Sequence, residues 1–240
     1  MTGRLFAIGD IHGCARELEV LLAGLPLVAG DTIVCVGDYV DRGPASRQVI
    51  DLLLALRARE GIRTVFLKGN HEDMCLSYIG RRGGWGEAWH LNGGTATLRS
   101  YGIEPRTPGD EVAARLPPGH LEFLEGLLPF FVADPYLLVH AGVRPGRALV
   151  DQEVEDLFWI REEFILTPHS LPQTIVFGHT PQREVLVDVP SKIGIDTGCV
   201  YGGALTALEL RDQLLYQVRF GDRQVRQSNL PPPRRSRRLG

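Results

Sequence analysis

Apolar positions along this chain follow two rhythms, and the switches between them mark out its elements. The apolar run Leu5 to Gly9 reads as a strand, and Leu18, Leu21, Leu22 and Leu25 then fall at i, i+3, i+4 and i+7, one face of a helix. Ile33 to Gly37 is a second strand. Val49, Leu52, Leu53 and Leu56 repeat the helical spacing, and Thr64 to Leu67 gives a third strand. This β-α-β-α-β order predicts a mainly parallel sheet covered by helices, in which ligands gather beyond the carboxyl ends of the strands.

Residues 72 to 128 change character. Trp85, Trp89, Leu91 and Leu98, with the Gly93-Gly94 break and the Pro117-Pro118-Gly119 turn, predict several short helices forming a small cap beside the sheet. Short strands then follow at Tyr136 to His140, Thr174 to Gly178, Glu184 to Val189, Ile193 to Asp196, Leu205 to Leu210 and Leu214 to Phe220, which implies a second sheet. No internal repeat is visible. The reading is one α/β domain over 1–222 with the cap at about 72–128, followed by a basic, proline-stiffened tail over 223–240 expected to be disordered.

With 240 residues, 44% hydrophobic and 23% charged, the chain can build one large core. No apolar run approaches the roughly 18 to 20 residues of a membrane span, and the start lacks the pattern of a secretory signal, so a cytoplasmic location is expected. The four cysteines, Cys14, Cys35, Cys75 and Cys199, are scattered and expected to be reduced thiols, two of them buried. Net charge is −3, but Arg234, Arg235, Arg237 and Arg238 crowd the end; the rest carries 22 basic residues against 29 acidic ones. An acidic body argues against nucleic-acid binding, which normally shows a basic face.

Five polar motifs, each at the end of an expected strand, carry the chemistry: Gly9-Asp10-Ile11-His12-Gly13, Gly37-Asp38-Tyr39-Val40-Asp41-Arg42-Gly43, Gly69-Asn70-His71-Glu72, His140-Ala141-Gly142 and Gly178-His179-Thr180. One Asp or His after a strand is usually a turn former or helix cap. Five in succession, all of metal-ligand type, point to two adjacent cations that share one carboxylate. If the first strand continues through Gly9, Asp10 and His12 point to one side. The expected sets are Asp10, His12 and Asp38 for one ion, and Asp38, Asn70, His140 and His179 for the other. Glycines 9 and 13 are expected to free the backbone for a sharp turn.

These motifs resemble, one for one, those of the phosphoprotein phosphatase family of serine/threonine phosphatases within the calcineurin-like metallophosphoesterases, most closely the small bacterial and phage members. The likeness covers roughly residues 4 to 220. It extends to Phe158-Trp159-Ile160-Arg161-Glu162, similar to a segment carrying a phosphate-binding arginine, and to Ile195-Asp196-Thr197-Gly198-Cys199, similar to a closing strand and turn. The resemblance implies the four-layer α/β/β/α fold, a two-sheet sandwich flanked by helices. It also implies phosphomonoester hydrolysis on serine, threonine or tyrosine of proteins, by direct attack of a metal-bridging hydroxide. The alternative activity on the same scaffold is hydrolysis of dinucleoside polyphosphates such as diadenosine tetraphosphate.

His71 is expected to be the general acid and Asp41 its orienting partner, with Arg42 and Arg161 holding phosphate through guanidinium forks. For Arg161 the competing expectation is an ion pair with Asp156, Glu162 or Glu163. Arg81, Arg82 and Tyr201 could equally line the groove or serve as surface and turn residues. His90, His120 and His169 are expected to pack. Manganese is the metal chosen by resemblance, iron, zinc or cobalt being compatible with the same donors.

Overall fold

The computed structural model describes residues 3–233. The strands β1 (Leu5–Ile8), β2 (Thr32–Cys35) and β3 (Arg63–Phe66) pair in parallel, with α1 (Ala15–Gly24) and α2 (Ser46–Arg57) as the crossovers between them. Each strand falls where the apolar runs place it, one residue shorter or so at its end. The cap is helical as expected: α3 (Asn70–Tyr78), α4 (Thr95–Ser100), α5 (Gly109–Arg115) and α6 (Pro118–Glu125), with a short 3-10 turn (Gly86–Ala88) and a wider π turn (His90–Gly94) between α3 and α4.

The second half of the chain builds β4 (Phe130–Ala133), β5 (Tyr136–Val139), α7 (Val154–Trp159), α8 (Glu162–Leu166), β6 (Thr174–Phe177), β7 (Leu186–Asp188), β8 (Lys192–Gly194), β9 (Ala204–Glu209), β10 (Leu214–Arg219) and β11 (Arg226–Asn229). Its strands do not all form a second sheet. One sheet runs β4-β5-β6-β8-β7, whereas β9, β10 and β11 return to extend the first in the order β11-β10-β9-β1-β2-β3, β9 lying antiparallel to β1. The expected single second sheet is corrected accordingly. Alternation along a strand says which face is buried, not which sheet it joins.

Strand alternation sorts the core into three layers. Phe6, Ile8, Ile33, Cys35 and Phe66 face α1, α2 and the cap. Ala7, Val34, Val65, Leu138, Val176 and Leu208 fill the space between the sheets. Leu137, Val139, Ile175 and Phe177 pack under α7 and α8. The result is the α/β/β/α layering. All four cysteines are free and buried, two more than expected. No helix among the described residues is long and apolar enough to cross a membrane.

The tail boundary also shifts. β11 lies inside the stretch expected to be disordered and pairs antiparallel with β10 from Leu214↔Asn229 to Gln217↔Arg226. Its residues Arg226, Gln227, Ser228 and Asn229 are all exposed and show no alternation, so nothing in their pattern marks a strand. They are held by the ladder, by Val225 packed near Gly24 of α1, and by Leu230 against the inter-sheet core. The four arginines of the expected tail lie outside the described residues. Truncation after Asp222 should expose the β10 edge and lower stability by about 2 kcal/mol, a fall in Tm of about 4–8 °C by thermal unfolding.

Candidate metal centre

All five motifs meet at one place. β1, β2 and β3 deliver Asp10 and His12, Asp38, and Asn70 with His71; β5 and β6 of the second sheet deliver His140 and His179. The backbone there is unusual. Of seven non-glycine residues with positive φ among the described ones, five are His12, Asp38, Asp41, Arg42 and His179, at 44° to 72°. Each such residue costs about 1–3 kcal/mol, strain that concentrates at functional sites. His12 is left-handed and β1 ends at Ile8, so Asp10 and His12 do not lie along a continued strand as expected. Gly13 does take the left-handed turn, at φ 65°. Gly9 serves differently: a Cβ there would stand 2.6 Å from the Ile195 carbonyl.

Two buried groups form around Asp38, namely His12–Asp38–His71 and Asp38–His140–His179, with the ligand atoms of each within 4.8 Å of one another. His12 Nδ1 lies 2.9 Å from the Val40 carbonyl, and His140 Nδ1 the same distance from that of Val36. Each ring nitrogen there must carry the proton, which leaves the Nε2 lone pairs turned inward. His12 Nε2 faces Asp38 Oδ2 at 3.3 Å, and His140 Nε2 faces Asp38 Oδ1 at 3.4 Å and Asn70 Oδ1 at 3.1 Å. A carboxylate flanked on both oxygens by imidazole lone pairs is acceptor against acceptor, an arrangement that a cation on each side relieves. Asn70 Oδ1 also lies 3.0 Å from His179 Nδ1, while His179 Nε2 and His71 Nε2 are buried without a partner. The donors thus fit two divalent ions sharing Asp38.

Electrostatics agree. Burial alone would raise the Asp38 carboxyl, but His140, His71 and His12 outweigh it and hold it well below the ordinary range. Burial drives His140 down to about 4 despite Asp38, and drives His179 well down too, so both are neutral ligand-type imidazoles. For His12 burial opposes charging and Asp38 favours it, with a net rise; the Arg42 guanidinium donates to its Nε2, which keeps that nitrogen a lone-pair acceptor. The Asp10 carboxyl is pushed well up by burial and by the charges of Asp196 and Asp38.

Asp10 approaches the centre from the His179 side. Its two oxygens accept the His179 backbone N–H at 3.1 and 3.0 Å, and it is absent from the first cluster, where His71 stands instead. Gly178 is the reason for this approach, since a Cβ there would sit 2.0 Å from Asp10 Oδ1.

Asp41 is a hub. Its carboxylate accepts His71 Nδ1 at 2.7 Å, the Trp89 indole N–H at 3.0 and 2.9 Å, and the Thr97 hydroxyl at 2.6 Å. This fixes the His71 ring with Nε2 turned into the site. Glu72 is a second hub, a role that its place in the third motif did not specify. Its Oε2 accepts the N–H groups of Asp38 and Gly69 at 2.9 and 3.0 Å, and its Oε1 those of Tyr39 and Val40 at 2.7 and 3.2 Å. Burial and the Asp38 charge push its pKa up, yet four donors leave a carboxyl proton no acceptor.

Arg42 stacks over the Tyr201 ring at 5.5 Å. Arg161 donates to the His179 carbonyl at 3.3 Å, and two of the acids expected to compete for it, Asp156 and Glu163, bind Arg144 instead. His120 spans Tyr101 and Asp51, His90 packs on Tyr78 and His169 faces the Ser191 carbonyl, all packing roles as expected.

A family model described as calcineurin-like phosphoesterase matches residues 3–219. The chain belongs to that family. It is a metallophosphoesterase, a hydrolase of phosphoesters. Its relatives include the asymmetrical bis(5'-nucleosyl)-tetraphosphatase PrpE of Geobacillus thermodenitrificans, 32% identical with 88% of this chain and 92% of that protein covered. The symmetrical bis(5'-nucleosyl)-tetraphosphatase of Bordetella pertussis is 28% identical, with 91% and 96% covered. Among solved structures, one described as a putative diadenosine tetraphosphatase is 28% identical, covers 91% of this chain and 94% of its own, and superposes with a TM-score of 0.69. A cold-active protein tyrosine phosphatase shares the fold at 19% identity and TM-score 0.63, covering 94% and 80%.

Glu72→Gln sets an amide NH2 against N–H donors and should cost about 3 kcal/mol, read from the denaturant midpoint. The His140 imidazole gives a pH signature in metal-stripped protein. Between pH about 6.5 and about 4 the unfolded chain takes up a proton that the folded chain refuses, so this group's contribution to stability should fall as pH drops through that window and stay level above it. The fall from this group is about 3 kcal/mol, measurable by denaturation at stepped pH.

Proposed function

We propose that this metallophosphoesterase hydrolyses dinucleoside polyphosphates, the diadenosine tetraphosphatase reading that stood as the alternative in the sequence. The observation that carries it is near full-length similarity, at 32% identity, to a protein named a bis(5'-nucleosyl)-tetraphosphatase. The serine/threonine phosphatase reading has weaker support, since the phosphatases among the solved structures are alike in fold alone.

Asp10, His12 and Asp38 would hold one divalent ion and Asp38, Asn70, His140 and His179 the other, manganese being our choice of metal. Bound there, the ions supply Lewis acidity to phosphoryl oxygens and lower the pKa of water. Arg42 and Arg161 lie at the site margin, where their guanidinium forks match phosphate oxygens. His71 stands within the first cluster, but its Nδ1 is committed to Asp41, so its buried Nε2 serves to deliver a proton to the departing oxygen. Asp41 keeps that ring in place through Trp89 and Thr97.

The leaving group separates the two readings. A serine or threonine alkoxide needs a proton to depart, whereas a nucleotide phosphate leaves as a stable anion. On diadenosine tetraphosphate, kcat/KM should exceed that on a phosphoserine peptide at least tenfold with manganese present; the opposite order would return the protein-phosphatase reading. His71→Asn should lower turnover of an alkyl phosphate by about 10²–10⁴. The loss on diadenosine tetraphosphate should be smaller, with metal content kept at two per chain; unchanged turnover on both removes His71 as the acid.

A further inference from the structure

Beside the metal centre a cleft of about 630 Å³ opens between the cap and α7, its walls including Lys68, Asp73, Arg82, Trp85, Glu155 and Trp159. Two indoles dominate it. Trp85 and Trp159 meet edge to face with ring centres 6.3 Å apart, and Trp85 is 53% exposed. An indole presented this openly gains little from the core and offers a flat face to whatever enters.

Trp85 is not exposed through looseness. It holds a left-handed backbone, φ 59°, which a bulky residue adopts only at a cost in energy. The Gly84 N–H donates to Asp73 Oδ2 at 2.8 Å and the Gly86 N–H to Ser77 Oγ at 3.2 Å. A Cβ on Gly83 would come 2.3 Å from the Asp73 carbonyl, so the loop lies directly on α3. That helix begins with Asn70 and His71. On the opposite wall Trp159 touches the His179 ring edge to face at 6.4 Å and precedes Arg161 by two residues. Both aromatic walls are therefore tied to segments that carry site residues, which sets the cleft in fixed register with the metal centre.

Its charges are mixed. Lys68 and Arg82 face Asp73, Glu125 and Glu155, an arrangement with no surplus of positive charge for a phosphate chain but with donors and acceptors for a neutral heterocycle. We propose that this cleft receives one nucleobase of the dinucleoside polyphosphate while the phosphate chain lies at the metal centre, with Trp85 as the stacking platform that selects nucleotides over other phosphoesters. The assignment rests on the function proposed above.

The test compares Trp85→Ala, Trp85→Phe and the native enzyme, all loaded with manganese. It measures the KM for diadenosine tetraphosphate and the inhibition constant for inorganic pyrophosphate, which carries the phosphate chemistry without a base. Trp85→Ala should raise that KM between about fivefold and a hundredfold, the range of one base–aromatic stack. The pyrophosphate constant should move far less, and Trp85→Phe should recover most of the loss. An unchanged KM, or a rise matched by an equal rise in the pyrophosphate constant, overturns the base site and leaves the function standing. A native enzyme that hydrolyses a phosphoserine peptide but not diadenosine tetraphosphate overturns the function, and the base site with it.

Discussion

Four backbone N–H groups from two different loops converge on the single buried carboxylate of Glu72. Three belong to residues 38–40, at the end of β2, and one to Gly69, at the end of β3. The anchor works with the bonds to the Asp38 and Tyr39 carbonyls and to Asp41 in holding Asp38, Asp41 and Arg42 at positive φ. Hydrogen bonds from N–H groups to an ionised acceptor are about twice as strong as neutral ones. Placing Glu72 in the first turn of α3 also sets a negative charge at a helix N-terminus, where it is favoured. One side chain thus fixes how two neighbouring strand ends face each other, and Asp38 is aimed by that arrangement.

The second dependence is between sheets. His12 and His140 approach Asp38 from opposite sides, one delivered by the first sheet and one by the second. Their tautomers are set by carbonyls of Val40 and Val36, both on the chain just beyond β2. The middle core layer of Val34, Val65, Leu138 and Val176 brings the strand ends together. Packing that contains no polar atom therefore determines a site made of little else. Ring nitrogens oriented by a second hydrogen bond are the usual condition for a well-defined metal ligand.

Much of this was readable from the chain. The three parallel strands, the two crossover helices and the helical cap follow from apolar spacing, and the ligand types stand at strand ends in motifs too regular for turn formation alone. What escaped has physical causes. Glu72 looks like an ordinary first-turn acid because three of its four partners are backbone N–H groups more than thirty residues upstream. Trp89 reads as core, and is fully buried, yet its indole nitrogen serves Asp41 from 48 positions away. β9 and β10 alternate correctly for either sheet, so their return beside β1 is a tertiary choice. β11 has no alternation to read. The facing of Asp10 towards the His179 N–H depends on Gly178 across the sheet interface, which no local pattern reports.

Asp41 joins the cap to the His71 ring through Trp89 and Thr97, and this changes what variation the cap can bear. Exposed cap positions such as Glu104 and Arg106 can vary at modest cost. Positions 89 and 97 have no such latitude: a replacement there leaves the cation ligands in place but unseats the imidazole that must face them. Under the role proposed for His71, drift in an outlying lobe of the molecule would silence turnover while metal affinity survives, and a relative with every ligand intact would still be inactive.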